Sequence, residues 1–182
     1  MNAIKLEIEG LYILEPQIFE DERGYFFESF NQSRFESLVG TCVNFCQDNE
    51  SFSHKNVLRG LHFQAPPFAQ GKLVRVTQGA VLDIAVDIRS NSSTYGQYKA
   101  VLLSAENKRQ FWIPEGFAHG FLTLEDETVF NYKCTNLYHK ESEGGLNWND
   151  PSLQIDWGIT EQPVLSDKDR VEVHFSEFKT PF

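Results

Sequence analysis

Ala80-Val81-Leu82-Asp83-Ile84-Ala85-Val86-Asp87-Ile88 decides the fold of this chain. The run is rich in β-branched residues and alternates with period two, the signature of a strand. Leu82, Ile84, Val86 and Ile88 share one face, and Val81, Asp83, Ala85 and Asp87 share the other. An acid between small apolar neighbours is costly to bury alone. Asp83 therefore sits on a solvated face, lines a wet cavity or has a partner, for which Lys72 is one candidate.

Working outward, strand signals recur with short turns between them. They cover 11–14, 25–30, 57–64 and 72–77 before this run, and 98–104, 109–113, 120–124 and 127–135 after it. Gln78-Gly79, Ser90-Asn91 and Pro114-Glu115-Gly116 supply turn chemistry. One helix is expected at 32–38 behind a capping Asn31, and a second helical turn near 166–170. Many short strands at regular spacing predict an all-β fold, an antiparallel jelly-roll β-barrel with a few short helices.

With 182 residues and no repeat or linker, residues 1–182 are expected to form one domain. Hydrophobic residues make up 41% of the chain and mean hydropathy is −0.38. No apolar run approaches the roughly 20 residues of a membrane helix. The start Met1-Asn2-Ala3-Ile4-Lys5 lacks an apolar export signal, so a cytoplasmic location is expected. A net charge of −10 argues against nucleic acid or anionic lipid as partner. Cys42, Cys46 and Cys134 form no Cys-x-x-Cys pair, which fits a reducing compartment. Walker, Gly-x-Gly-x-x-Gly and Gly-x-Ser-x-Gly motifs are absent, so no nucleotide loop or hydrolase elbow is expected.

The chemistry concentrates in Arg59-Gly60-Leu61-His62-Phe63-Gln64 and Gly71-Lys72-Leu73-Val74-Arg75-Val76. A neutral imidazole can take a proton, and an ammonium can hold the negative charge that proton loss leaves behind. An isolated histidine is ordinarily a hydrogen-bonded structural group, but His62 stands among Arg59, Gln64 and Lys72. Strict alternation places Arg59 and His62 on opposite faces. Both reach one ligand only if the strand is irregular, and Gly60 is where a bulge fits. Tyr132 is a phenol able to donate a proton, though a strand tyrosine is more often packing. Asp169 or Asp83 could orient His62 as the third member of a triad orients its histidine.

Pro114-Glu115-Gly116-Phe117-Ala118-His119-Gly120-Phe121 resembles the second motif of the cupin barrels. Where metal-binding cupins carry His-x-His, this chain reads His62-Phe63-Gln64. Two histidines do not complete an ordinary metal shell, so no metal is expected.

The chain as a whole resembles the dTDP-4-dehydrorhamnose 3,5-epimerase family, cupin-type enzymes acting on nucleotide-sugars. The resemblance runs nearly end to end. Its motifs include Asp21-Glu22-Arg23-Gly24-Tyr25-Phe26-Phe27-Glu28-Ser29, Gln47-Asp48-Asn49, the two stretches around His62 and Lys72, Tyr132-Lys133-Cys134-Thr135, Trp148-Asn149-Asp150-Pro151 and Leu165-Ser166-Asp167-Lys168-Asp169. It implies His62 as the base, Asp169 as its partner, Tyr132 as the acid on the opposite face and Lys72 as the enolate's cation. It further implies that Arg23, Glu28, Gln47, Asp48, Asn49, Arg59, Lys72, His119, Glu143 and Lys168 bind the nucleotide-sugar. Tyr138 matches the aromatic that stacks on thymine. The family's 23–28 segment reaches into the partner subunit's site, which implies a homodimer. No cofactor is implied. A related epimerase inverting only C3 or only C5 would use the same residues.

Overall fold

The computed structural model describes residues 1–170 and 173–182. Its elements in chain order are β1 (Asn2–Lys5), β2 (Tyr12–Glu15), β3 (Phe19–Asp21), β4 (Gly24–Phe26), α1 (Gln32–Val39), β5 (Gln47–Ser53), β6 (Leu58–Gln64), β7 (Lys72–Gln78), β8 (Ala80–Asp87), β9 (Tyr98–Ser104), β10 (Gln110–Ile113), β11 (Phe117–Thr123), β12 (Thr128–Cys134) and β13 (Glu143–Gly145). A 3-10 turn, Lys140–Ser142, precedes β13. Among the described residues no helix is long and apolar enough to cross a membrane.

The strands form an antiparallel jelly roll of two facing sheets. One sheet runs β1-β2-β10-β7-β12-β5, the other β13-β6-β11-β8-β9, and β3-β4 is a separate hairpin. The sheets stay hydrogen-bonded within themselves and do not close into a continuous barrel. Val74, Val76, Val81, Val101, Leu103, Phe111 and Phe130 fill the space between them. Each fully buried side chain of this kind contributes about 1.5–3 kcal/mol.

The outer faces are also covered. Helix α1 lays Phe35 and Val39 on Leu14, Leu73 and Trp112 of the first sheet, with Phe35 edge-on to Trp112 at 5.1 Å. Asn31 caps it by accepting from Arg34 N at 3.1 Å, and Gly40 in the left-handed region closes it onto Glu36 O at 2.9 Å. Leu146, Trp148, Leu153 and Trp157 cover the second sheet, against Leu58, Ile84, Val86 and Leu122. Both faces of β8 are therefore buried, and Asp83 is not on a solvated face. Asp87 on the same strand is tied by Arg89, Ser92 and Thr94.

Residues 167–170 form a hydrogen-bonded turn where a short helical turn was expected, held by Ser166 Oγ, which accepts from Asp169 N and donates to its carboxylate. One local expectation fails. The strand expected over 25–30 ends at Phe26; the chain there leaves the hairpin for the Asn31 cap.

Candidate active site

Gly60 places His62. From His119 to Phe121, β11 advances two residues while β6 retreats three, from His62 to Arg59. The extra residue is the expected bulge, and it turns Arg59 and His62 toward the same cavity. Gly60 has φ +123, and a Cβ there would lie 2.5 Å from Gly120 Cα and 2.7 Å from His119 O. Only glycine fits so close an approach.

The bulge also anchors a carboxylate. Asp169 is 3% exposed and accepts from Gly60 N at 3.3 Å and Ser166 Oγ at 2.6 Å. His62 Nε2 lies 2.7 Å from Asp169 Oδ1. Burial pushes the Asp169 carboxyl up, but the hydrogen bonds from His62 and Ser166 outweigh it and hold it at about 2. Asp169 is thus the partner of His62. Asp83 instead faces His119, whose Nε2 lies 3.0 and 2.9 Å from its two carboxylate oxygens. The register explains the choice: His119 stands opposite Ala85 on β8, one diagonal step from Asp83. Burial raises the Asp83 carboxyl, opposed by His119 and then Lys72.

The facing sheet supplies the other groups. Lys72 on β7 stands opposite Cys134 on β12, and Tyr132 opposite Val74, so Lys72 and Tyr132 are same-face diagonal neighbours. Burial lowers the Lys72 ammonium, and nearby Cys134, Asp83 and Glu143 oppose it. Burial raises the Tyr132 phenol, with Cys134 adding to it and Arg59 opposing. Tyr132 therefore remains a protonated donor at neutral pH.

These groups share one cavity of about 220 Å³ between the sheets, lined by Arg59, His62, Lys72, His119, Tyr132 and Asp169 among others. Ser51, Phe121, Phe130 and Ser166 also line it, and the motifs had not singled them out as site residues. Alternation from Asn49 would have placed Ser51 on the inner face of β5, had β5 been anticipated.

Outside the residues that line the cavity, Tyr138 Oη donates to Glu143 Oε2 at 3.0 Å and Lys168 Nζ meets Glu143 Oε1 at 2.5 Å. Gln47 Oε1 accepts from Tyr138 N at 2.9 Å, and its amide donates to Asn49 Oδ1 at 3.0 Å. Three expected residues stand apart. Asp48 alternates to the other face of β5 and pairs with Lys133 at 2.6 Å. Arg23 caps the exposed β3-β4 hairpin, bound to Asp21. Glu28 pairs with Arg34 at 3.1 Å. A larger hollow of about 440 Å³ beside β5 is lined by Asp48 and Asn49, shares Tyr132 with the cavity and contains no histidine. Among the described residues no group of three or more His, Cys, Asp or Glu is arranged to hold a metal ion.

The arrangement can move protons. It offers a carboxylate-oriented imidazole from one sheet, a phenol from the other, and a cation between ionisable neighbours.

Comparison with known proteins agrees with this chemistry. The family model described as dTDP-4-dehydrorhamnose 3,5-epimerase matches residues 5–177. The dTDP-4-dehydrorhamnose 3,5-epimerase of Escherichia coli K12 is 60% identical over 169 residues, covering 93% of this chain and 91% of that protein. The crystal structure of the Legionella pneumophila dTDP-6-deoxy-D-glucose-3,5-epimerase, in complex with dTDP-4-keto-L-rhamnose, superposes with TM-score 0.94 at 52% identity, covering 98% of this chain and 94% of that one. A 3'-monoepimerase from Streptomyces bikiniensis, in complex with dTDP-quinovose, superposes with TM-score 0.90 at 34% identity, covering 97% and 88%. The chain belongs to the dTDP-4-dehydrorhamnose 3,5-epimerase family.

Proposed function

We propose that this protein epimerises C3 and C5 of dTDP-4-dehydro-6-deoxy-D-glucose, yielding dTDP-4-dehydro-L-rhamnose for dTDP-L-rhamnose synthesis. One observation carries the reading: His62, with Asp169 bound to it, and the Lys72–Tyr132 pair on the opposite sheet line the same cavity.

The C4 ketone of the substrate acidifies the hydrogens on both flanking carbons, because either carbanion delocalises into one oxygen. His62 removes the proton. With Nε2–H directed at Asp169, Nδ1 carries the basic lone pair, and Asp169 stabilises the imidazolium that forms. Lys72 holds the enolate oxygen, a role worth about 3–4 kcal/mol for a single donor of this kind. Tyr132 delivers a proton to the opposite face, which inverts the carbon. Before a second round at the other flanking carbon, His62 returns its proton to solvent and Tyr132 regains one, and the same groups then act again. The proton transfers balance without a redox step, and the reading assigns no cofactor.

Arg59 and Arg23 bind the diphosphate through forked hydrogen bonds, while Gln47, Asn49, His119, Glu143 and Lys168 complete the nucleotide-sugar site and Tyr138 stacks on thymine. Arg23 and Glu28 lie outside their own chain's cavity. The hairpin that carries Arg23 exposes Phe19, Tyr25 and Phe26. A homodimer in which this arm enters the partner's site accounts for both facts. The chain acts as one domain in the cytoplasm.

The test is proton NMR of the purified protein with dTDP-4-dehydro-6-deoxyglucose in deuterium oxide. Deuterium at C3 and C5 with the L-rhamno product supports the reading. Label and inversion at one carbon only would reassign the protein to the monoepimerases, and no exchange would overturn it.

A further inference from the structure

Gln64 occupies the position where metal-binding cupins place their second histidine, and its side chain is committed elsewhere. It is 4% exposed. Its amide donates to Phe68 O at 2.6 Å and Leu137 O at 3.2 Å, and its oxygen accepts from His139 N at 2.7 Å. The last two bonds grip the backbone immediately before and after Tyr138. Gln47 holds the remaining group, Tyr138 N, at 2.9 Å. The same loop is reinforced by stacking of Phe68 on His139, with centroids 3.8 Å apart and planes within 8°. Gln70 adds a bond to Asn136 O at 2.8 Å.

This anchoring contrasts with the ring it surrounds. Tyr138 is 55% exposed, and its hydroxyl bond to Glu143 fixes only the far edge. An exposed aromatic can serve as a stacking platform only if its backbone is already ordered, since ordering a loop on binding consumes affinity. A buried amide that satisfies three backbone groups at once is a strong way to order one, because each group left unpaired would carry a desolvation cost.

We infer that Gln64 is a positioning residue for nucleobase recognition: it pre-orders the 137–139 backbone so that Tyr138 presents its face to the base. The inference rests on the reading of Tyr138 as the thymine platform. Gln64 also alternates with His62 on β6, so one strand sets both the base of the reaction and the grip on the nucleotide.

The test measures dTDP and inorganic pyrophosphate affinities by calorimetry for the native protein, Gln64→Met, Gln64→Glu, Tyr138→Ala and the Gln64→Met/Tyr138→Ala double variant. Both Gln64 substitutions keep the side-chain volume, and Glu also keeps the acceptor for His139. Gln64→Met is expected to weaken dTDP about tenfold, equivalent to about 1.4 kcal/mol, with pyrophosphate affinity unchanged. Gln64→Glu keeps only the acceptor for His139 N and sets a buried carboxylate against Phe68 O and Leu137 O, so it should weaken dTDP at least as much as Gln64→Met does. The double variant should bind dTDP no worse than Tyr138→Ala alone, and KM for the nucleotide-sugar should rise more than kcat falls in Gln64→Met. Unchanged dTDP affinity in Gln64→Met, with Tyr138→Ala weakened, overturns the inference and leaves the platform reading standing. Equal losses for dTDP and pyrophosphate, or additive losses in the double variant, also overturn it. Unchanged dTDP affinity in Tyr138→Ala overturns the platform reading itself.

Discussion

Asp169→Asn separates charge from geometry at the catalytic pair. The substitution keeps the side chain's size, and the amide can still accept from Gly60 N and meet Ser166 Oγ, the two contacts that hold Asp169 in place. What disappears is the negative charge 2.7 Å from His62 Nε2. Two routes bound the effect. Asp169 sits at about 2 instead of 3.8, which at 1.36 kcal/mol per unit is about 2 kcal/mol of preference for the ionised form. A unit ion pair with charge centres about 4 Å apart contributes about 4 kcal/mol at an effective dielectric of about 20. The rate of proton abstraction should therefore fall by about 30- to 900-fold. The assay is deuterium wash-in at C3 and C5 by NMR, at saturating substrate, with circular dichroism confirming the fold. Exchange within about threefold of the native rate would refute the argument, since the imidazolium would then gain nothing from the carboxylate.

The same carboxylate predicts an acid limb in stability. Its folded pKa is depressed from 3.8 to about 2, so its contribution is present above the unfolded value and fades as pH falls through the folded one. Urea midpoints should show the native protein ahead of Asp169→Asn at neutral pH by about 2 kcal/mol, with the gap closing between roughly pH 4 and pH 2; a pH-independent gap would refute this. Gly60→Ala should lower Tm by roughly 10 °C, since φ +123 and a Cβ 2.5 Å from Gly120 Cα together cost at least about 3 kcal/mol. A melting curve matching the native one would show that the bulge tolerates a side chain. Arg23→Ala and His62→Ala should each be inactive alone but recover about a quarter of native activity when refolded together, because a mixed dimer has one intact site. No recovery would exclude an arm that serves the partner.

Much of this was legible in the residues, for identifiable reasons. Period-two alternation announced β8, and the Gln78-Gly79 and Ser90-Asn91 turns bounded it. The bulge was legible because Gly60 lay between Arg59 and His62, which could not otherwise share a face. By contrast, β5 reads Gln-Asp-Asn-Glu-Ser-Phe-Ser. Its polar composition hides it, because its stability comes from pairing with β12 and not from its own propensity. The partner of His62 was also open. Asp83 and Asp169 are both nearly inaccessible, and only the register that sets His119 beside Asp83 decides between them. Gln64 was visible as a departure from the cupin metal motif, but its three backbone partners lie up to 75 residues away in sequence.

The division of labour between the sheets follows from the geometry of strands. Side chains that meet across one ladder sit on the same side of whatever lies in the cavity. His62 and His119 are such a pair. A donor for the far side of a ring has to come from the other layer, and Tyr132 on β12 belongs to it. The cation must reach the oxygen common to both carbanions, and Lys72 lies one diagonal from Tyr132. Inversion at two carbons then requires only that the ring move relative to fixed groups, because neither pair is specific to one carbon. Restriction to a single carbon would thus arise from how the sugar is held, and not from loss of His62 or Tyr132. The 34% identical monoepimerase, with the same fold at TM-score 0.90, is the natural comparison for that argument: exchanging residues that hold the sugar should shift the C3-to-C5 labelling ratio, whereas exchanging residues of the His62–Asp169 pair should depress both labels together.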